Sequence, residues 1–254
     1  AIDVVATKDG DRHALTPFGS LLAEDGDGSA RYWALWCSGP QWTLWGDLAA
    51  SVKTGKSARE RAGGEAGYAH LQKDAESARI FNLAMAGLTR RVGAEVARVV
   101  DWRGTKTLVD VGGGYGELVA SILEAKPSLR GVVFDLAHAT RLATEHLQRG
   151  GLAKRCEVAT GSFFEAVPEG GDAYLLKSIL HNWDDARSLD ILRTVRAAMG
   201  PKARLLLVER VMPSRPRAHR RDLAILRSDL NMLVSLGGRE RTRGEFAALL
   251  AEGG

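Results

Sequence analysis

Val109-Asp110-Val111-Gly112-Gly113-Gly114-Tyr115-Gly116-Glu117 ends a short apolar run and opens a helical pattern. Glycines at such a turn let the backbone bend sharply and approach a ligand with no Cβ in the way. A tight turn without a ligand is the plain alternative, and a dinucleotide loop is another. The dinucleotide fingerprint requires Gly-x-Gly-x-x-Gly. Here the phase is Gly112-x-Gly114-x-Gly116, and Glu117 places a negative charge where a pyrophosphate would approach the helix. The pattern therefore disfavours a nicotinamide dinucleotide.

Outward from this loop, short apolar runs alternate with helical patterns, which predicts an α/β fold with a parallel sheet covered by helices on both faces. Thr107 to Val111, Gly131 to Phe134, Cys156 to Thr160, Ala173 to Lys177 and Arg204 to Glu209 read as strands. Leu118, Val119, Ile122 and Leu123 mark one helix face, and Leu189, Leu192, Val195 and Met199 mark another. Right-handed crossovers are expected. Asp135 follows the second strand at the carboxyl edge of the sheet, where a carboxylate can accept hydrogen bonds from both hydroxyls of a ribose. An aspartate that merely begins a turn is the other reading.

Upstream the pattern changes near Asp101 to Lys106, which divides the chain into a helical unit, 1–100, and the sheet unit, 101–254. Trp33, Trp36, Trp42 and Trp45 recur at helical spacing and predict a buried face, with Ser38-Gly39-Pro40 expected to break the helix. Ile80, Leu83, Ala84, Leu88 and Val92 predict a long amphipathic helix from Ala75 to Val100. So much aromatic surface in one small layer predicts association through this half as a homodimer.

Composition narrows the class. The 254 residues are 45% apolar, enough for a substantial core, and the net charge of +4 comes from interspersed acids and bases. That argues against a nucleic-acid partner, and Arg215, Arg217, His219, Arg220 and Arg221 read as a solvated loop. Cys37 and Cys156 stand alone, with no spacing that suggests a metal, and read as buried residues in a reducing compartment. With no membrane span and no leader pattern, a cytoplasmic location is expected.

His181 stands just after the fourth strand, on the edge where open α/β sheets place their ligands. A neutral imidazole there can take a proton from a hydroxyl, although a capping or packed histidine would look the same. Glu209, at the end of the fifth strand, and Glu240, after Gly237-Gly238 at the start of the last helix, could orient the imidazole and stabilise its charged form. An ion pair with Arg210 and a first-turn helix charge are the alternatives for the two glutamates.

The sequence resembles the class I S-adenosylmethionine-dependent O-methyltransferases, within them the family of plant caffeate-type and hydroxyindole enzymes and bacterial antibiotic-tailoring enzymes. The match rests on Leu15-Thr16-Pro17-Phe18-Gly19, Phe81-Asn82-Leu83-Ala84-Met85, the glycine loop and Phe134-Asp135-Leu136. It continues through Gly161-Ser162-Phe163-Phe164, the run from Leu176 to Asp185, and Gly237-Gly238-Arg239-Glu240-Arg241-Thr242. The resemblance implies a Rossmann-like catalytic sheet preceded by a mostly helical dimerisation domain with a partial winged-helix element at Ala1 to Leu22. It implies S-adenosylmethionine as cofactor, with no metal, held by Gly112, Asp135, Ser162, Phe163 and Lys177, with Asp110 and Gly114 beside them. Plant members commonly carry Asp where Ser162 stands, so the adenine-side hydrogen bond is expected to differ.

The resemblance also places His181, Glu209 and Glu240 on the family's acid-base set, for methyl transfer to a hydroxyl of a small aromatic acceptor. Met85 and Met232 fall on positions that line the acceptor pocket, and Asn82 and Trp183 are further acceptor-side candidates. Core filling is the alternative for the methionines, and a helix-start anchor for Trp183. A DNA-binding or regulatory module, an NAD oxidoreductase, and a relative that runs another reaction are the rival readings; the intact His-Glu-Glu set argues against the last. Against the family pattern, the sequence also reads as clipped at both ends, without most of the winged helix and the final strand pair.

Overall fold

The structure is a computed structural model that describes residues 3–8, 10–23, 30–64 and 67–254. Of the stretch read as a partial winged helix, residues 1–2 and 9 lie outside the described residues. The remainder holds an antiparallel hairpin, β1 (Val5–Lys8) with β2 (Arg12–Leu15), pairing Val5 with Leu15 and Lys8 with Arg12.

Four short helices come next, α1 (Arg31–Trp36), α2 (Trp42–Gly46), α3 (Leu48–Thr54) and α4 (Ala58–Arg61), then the long α5 (Ala75–Val99). The expected break at Ser38-Gly39-Pro40 does not occur. Cys37–Gln41 forms a wide π-helical turn that carries the chain from α1 into α2 without leaving helical backbone. A turn closed by longer-range hydrogen bonds has room for the Pro40 ring and does not need its missing N–H. The turn also shifts the register of α2 relative to α1, so the tryptophans do not share one buried face. Trp36 is buried, whereas Trp42 is 76% exposed. Trp36 packs edge-on against Phe81 of α5 at 5.1 Å, in a cluster with Leu71, Ala78 and Ala84. Asp74 caps α5 by accepting from the backbone N–H groups of Glu76 and Ser77.

The second unit alternates as its pattern predicts. The order is β3 (Thr107–Val111), α6 (Glu117–Ala125), β4 (Arg130–Asp135), α7 (Ala137–Arg149), β5 (Cys156–Thr160), β6 (Ala173–Lys177), α8 (Asp185–Ala198) and β7 (Arg204–Val208). The five strands pair in parallel in the order β5-β4-β3-β6-β7. Strand residues alternate between two cores. Leu108, Val133 and Leu175 face Ile122 and Leu123 of α6 and Leu147 of α7, while Val109, Tyr174 and Leu176 face Ile191, Leu192 and Val195 of α8. The chain leaves β3 toward β4 and returns to β6 on its other side. A crevice therefore opens at the carboxyl ends of β3 and its neighbours.

Beyond β7 come β8 (Val211–Met212), α9 (Arg220–Leu236), β9 (Arg241–Thr242) and α10 (Arg243–Gly253), with β8 and β9 paired apart from the main sheet. Glu240 does not begin the last helix, the position that the Gly-Gly turn predicts. Thr242 is the cap of α10, in a reciprocal capping box with Glu245, and Glu240 lies just before β9. The first-turn-charge reading of Glu240 falls with that. Arg215, Arg217, His219, Arg220 and Arg221 are exposed, but the stretch read as a loop ends at His219, which caps α9, and Arg220 and Arg221 are the first residues of that helix. No helix among the described residues is long and apolar enough to cross a membrane.

Candidate active site

The glycine loop joins the carboxyl end of β3 to α6. Gly112 has φ 72, in the left-handed region, and a Cβ there would collide with the Ile179 side chain. The N–H groups of Gly112 and Gly113 donate to the Phe134 carbonyl, which binds the loop to the end of β4. Asp135, next along, accepts from the Gly114 N–H at 2.7 Å and the Leu136 N–H at 2.6 Å. Burial pushes its carboxyl up to about 6 against those two hydrogen bonds. Asp110, beneath the loop, is pushed up to about 7 by burial and by Asp135, with Lys177 opposing. One of its oxygens, Oδ2, is buried without a partner.

Helix α5 reaches over this edge. Lys177 at the end of β6 donates to Thr89 Oγ1 of α5 at 2.9 Å, and burial lowers its ammonium while Asp110 and Glu209 oppose the shift. Arg90 makes a two-pronged pair with Glu117 at 2.8 and 3.2 Å. Asn82 is buried, with its amide nitrogen 3.4 Å from His138 Nδ1 and its Oδ1 beside Gly114. It therefore sits on the glycine-loop side of the crevice. Phe163, Phe164 and Trp183 form one aromatic group, with Phe164 and Trp183 centred 4.8 Å apart and Phe163 and Trp183 6.2 Å apart. Ser162 Oγ accepts locally from the Phe164 N–H at 3.3 Å. Met85 lies in the Trp36 cluster, and Met232 is buried on α9.

His181 is carried on a short 3-10 turn, Leu180–Asn182, after β6. Pairing of Lys177 with Val208 brings Glu209 beside it, and the return from α9 brings Glu240. His181 Nδ1 lies 3.2 Å from Glu240 Oε1 and 3.9 Å from Glu209 Oε2. The two carboxylates have different tasks. Glu209 Oε1 accepts from the backbone N–H groups of Ile179 and Leu180, both at 2.9 Å, and so fixes the turn. Burial raises its pKa, with His181 and the two N–H groups opposing. Glu240 fixes the ring. Burial would raise it too, but the hydrogen bond and charge of His181 and the Ser228 hydroxyl at 2.7 Å hold it below its ordinary value.

An ionised Glu240 can only accept, so Nδ1 donates to it, and in a neutral ring so held Nε2 is the nitrogen with the lone pair. The His181 side chain remains 13% exposed, whereas that of Glu240 is fully buried. A Cβ on Gly238 would collide with the His181 carbonyl oxygen, so the loop that delivers Glu240 can approach only with glycine there. Sequence reasoning missed Ser228, Thr89, the Tyr68 hydroxyl that donates to Asn182 Oδ1 at 3.2 Å, and Arg241, which is fully buried. Arg241 alone left a signal, as the residue next to Glu240.

A family model described as an O-methyltransferase domain matches residues 45–254. The chain is 39% identical to the phenazine O-methyltransferase PhzM of Lysobacter antibioticus, over 94% of this chain and 69% of that protein. It superposes on the crystal structure of LaPhzM with a TM-score of 0.94 at 38% identity, covering 100% of this chain and 75% of that one. The NcsB1 O-methyltransferase from neocarzinostatin biosynthesis, solved with S-adenosylmethionine and 2-hydroxy-5-methyl naphthoic acid, matches at TM-score 0.84 and 30% identity, over 100% of this chain and 75% of its own. The chain spans 60 to 69% of the length of three curated relatives it matches. On the extent of the domain match and the identity to these enzymes, the chain belongs to the O-methyltransferase family.

Proposed function

We propose that this chain transfers a methyl group from S-adenosylmethionine to a phenolic hydroxyl of a small aromatic metabolite, with His181 as the general base. The observation that carries the reading is His181 Nδ1 held 3.2 Å from Glu240 Oε1, an arrangement that in the neutral ring leaves Nε2 as the atom to accept a proton. The cofactor's sulfonium supplies the electrophilic methyl group. The residues present fit it: Asp135 offers acceptors for the ribose diol, the buried free oxygen of Asp110 suits a cationic group, and Phe163 and Trp183, set edge to face at 84°, offer apolar ring surface for adenine. Lys177, tied to Thr89, orders the crevice from the β6 side.

A phenol, with a pKa near 10 like that of tyrosine, is mostly protonated at neutral pH, so a base in contact raises its nucleophilicity. Proton loss to His181 Nε2 leaves an imidazolium that Glu240 and Glu209 stabilise by charge. An acceptor already ionised needs no such help. Purified protein with methyl-labelled S-adenosylmethionine and a panel of phenols, catechols, hydroxyindoles and quinols tests the reading. Label on an acceptor oxygen is the expected result, and absence of transfer across the panel contradicts it.

The raised carboxyls give a pH dependence. Groups whose folded pKa exceeds the unfolded value stabilise the ligand-free protein at low pH, and that contribution is lost as pH rises through about 6 for Asp135 and about 7 for Asp110. Hydroxyl donors prefer the ionised carboxylate. Affinity for S-adenosylhomocysteine is therefore expected to rise about tenfold between pH 5 and pH 7, with proton release on binding. Calorimetry in buffers of different ionisation enthalpy measures it, and Asp135→Asn should flatten the profile.

The same chain is read as one half of a homodimer. Trp42 at 76% exposure and Leu35 at 41% leave apolar surface on the helical unit, and burying such surface against a second copy is favourable. Light scattering on the full-length protein should give twice the monomer mass. A monomer would contradict this reading.

A further inference from the structure

We propose that Arg241 is a positioning residue for the base, holding the main chain around His181 while its sequence neighbour Glu240 holds the ring; this rests on the reading of His181 as base. Arg241 is fully buried. A guanidinium is tolerated in an interior only where its donors are taken up. Its Nη1 donates to the Leu180 carbonyl at 2.7 Å, and its Nη2 donates to the Trp183 carbonyl at 2.8 Å. Those two carbonyls bracket His181 and Asn182. Nε and Nη2 reach Asp185 Oδ1 at 3.0 and 2.7 Å, and Nη2 lies 3.3 Å from Ser188 Oγ. One planar fork thus spans both ends of the turn that carries the base and the first residues of α8.

The turn is one that needs holding. It is entered through Ser178 at φ 55, a left-handed conformation uncommon outside glycine. Successive side chains point to opposite sides of an extended segment, so Glu240 and Arg241 at the entry to β9 reach His181 from different directions. Asp185 is fixed in turn by Arg239 at 2.9 Å, which keeps the fork in plane. Lysine offers a single point charge and cannot bridge both carbonyls and the carboxylate. A base displaced by a fraction of an ångström loses rate without loss of cofactor binding.

Arg241→Lys tests this with three readouts: turnover on a high-pKa phenol and on its nitro-substituted analogue, calorimetry with S-adenosylhomocysteine, and nitrogen-15 shifts of the His181 ring. Turnover on the high-pKa phenol should fall roughly 10- to 100-fold, with a much smaller loss on the acidified analogue. Cofactor affinity should stay nearly intact, and the His181 nitrogens should lose their single-tautomer pattern. Equal losses on both acceptors with unmoved His181 shifts would show a merely structural role and overturn the proposal, as would wild-type turnover. Where Arg241→Lys does not fold, Asp185→Ala, at a half-exposed partner, should give the same pattern at smaller amplitude, and the same contrary results count against it. Failure of the base reading itself shows separately, as a His181→Ala protein that keeps its turnover.

Discussion

His181→Ala is expected to lower turnover roughly 10²- to 10⁴-fold, the usual contribution of a positioned proton acceptor, while leaving affinity for S-adenosylhomocysteine nearly unchanged. Binding and chemistry should separate because the imidazole is held by Glu240, whereas Asp135 is held by the Gly114 and Leu136 N–H groups. Glu240→Gln should cost less than the histidine change, because an amide can still accept from Nδ1 but no longer balances the imidazolium. Glu209→Gln acts chiefly through the turn, since Glu209 Oε1 holds the Ile179 and Leu180 N–H groups and its other oxygen is 3.9 Å from the ring. Each should combine non-additively with His181→Ala, because all three side chains serve one proton. Steady-state rates and calorimetry on the same preparations check the whole set.

Asp135→Ala should show the opposite profile. Loss of the ribose acceptors is expected to weaken S-adenosylhomocysteine by about 1.5 to 3 kcal/mol, the cost of hydrogen bonds to a charged group. That is roughly a 10- to 150-fold rise in Kd. Turnover at saturating cofactor should be retained to a much greater extent, since His181 and its carboxylates are untouched. The alanine also releases the Gly114 N–H, which now donates to Asp135 at 2.7 Å. Asp135→Asn keeps a side-chain acceptor for that N–H, so the difference between the two variants separates loop order from ribose recognition. Unchanged affinity in both would remove Asp135 from the cofactor site.

Much of the sheet was legible because its strands are buried on both faces and stand out as apolar runs. Leu108 and Val109 are both fully buried although they point to opposite cores. Boundaries moved by a residue at β4, which gains Arg130 paired with Thr107 and Asp135 paired with Thr160, and at β7, which ends at Val208. The glycine turn from β3 into α6 and the place of Asp135 at the carboxyl end of β4 were legible from local pattern alone. The proximity of the three proposed acid-base residues was not. His181, Glu209 and Glu240 come together only through the β6-β7 pairing and the return of the chain from α9, so family resemblance had to bring them into one set.

Features set by tertiary packing escaped the sequence. The π turn through Pro40 depends on room around the ring, which no local propensity reports. Asn82 sits on the face of α5 that meets Gly114 and His138, and its place depends on how α5 crosses the sheet edge. Arg241 looks like any surface arginine until its carbonyl partners are seen.

Whether a neutral His181 removes the acceptor's proton is tested most directly by the ratio of wild-type to His181→Ala turnover. Methyl-label transfer to a phenol of ordinary pKa and to its nitro-substituted analogue measures it. The ratio should be roughly 10² to 10⁴ on the first and fall toward unity on the second, because an acceptor ionised before it binds needs no base. A ratio near unity on the high-pKa phenol, or the same large ratio on both acceptors, would contradict proton removal by His181.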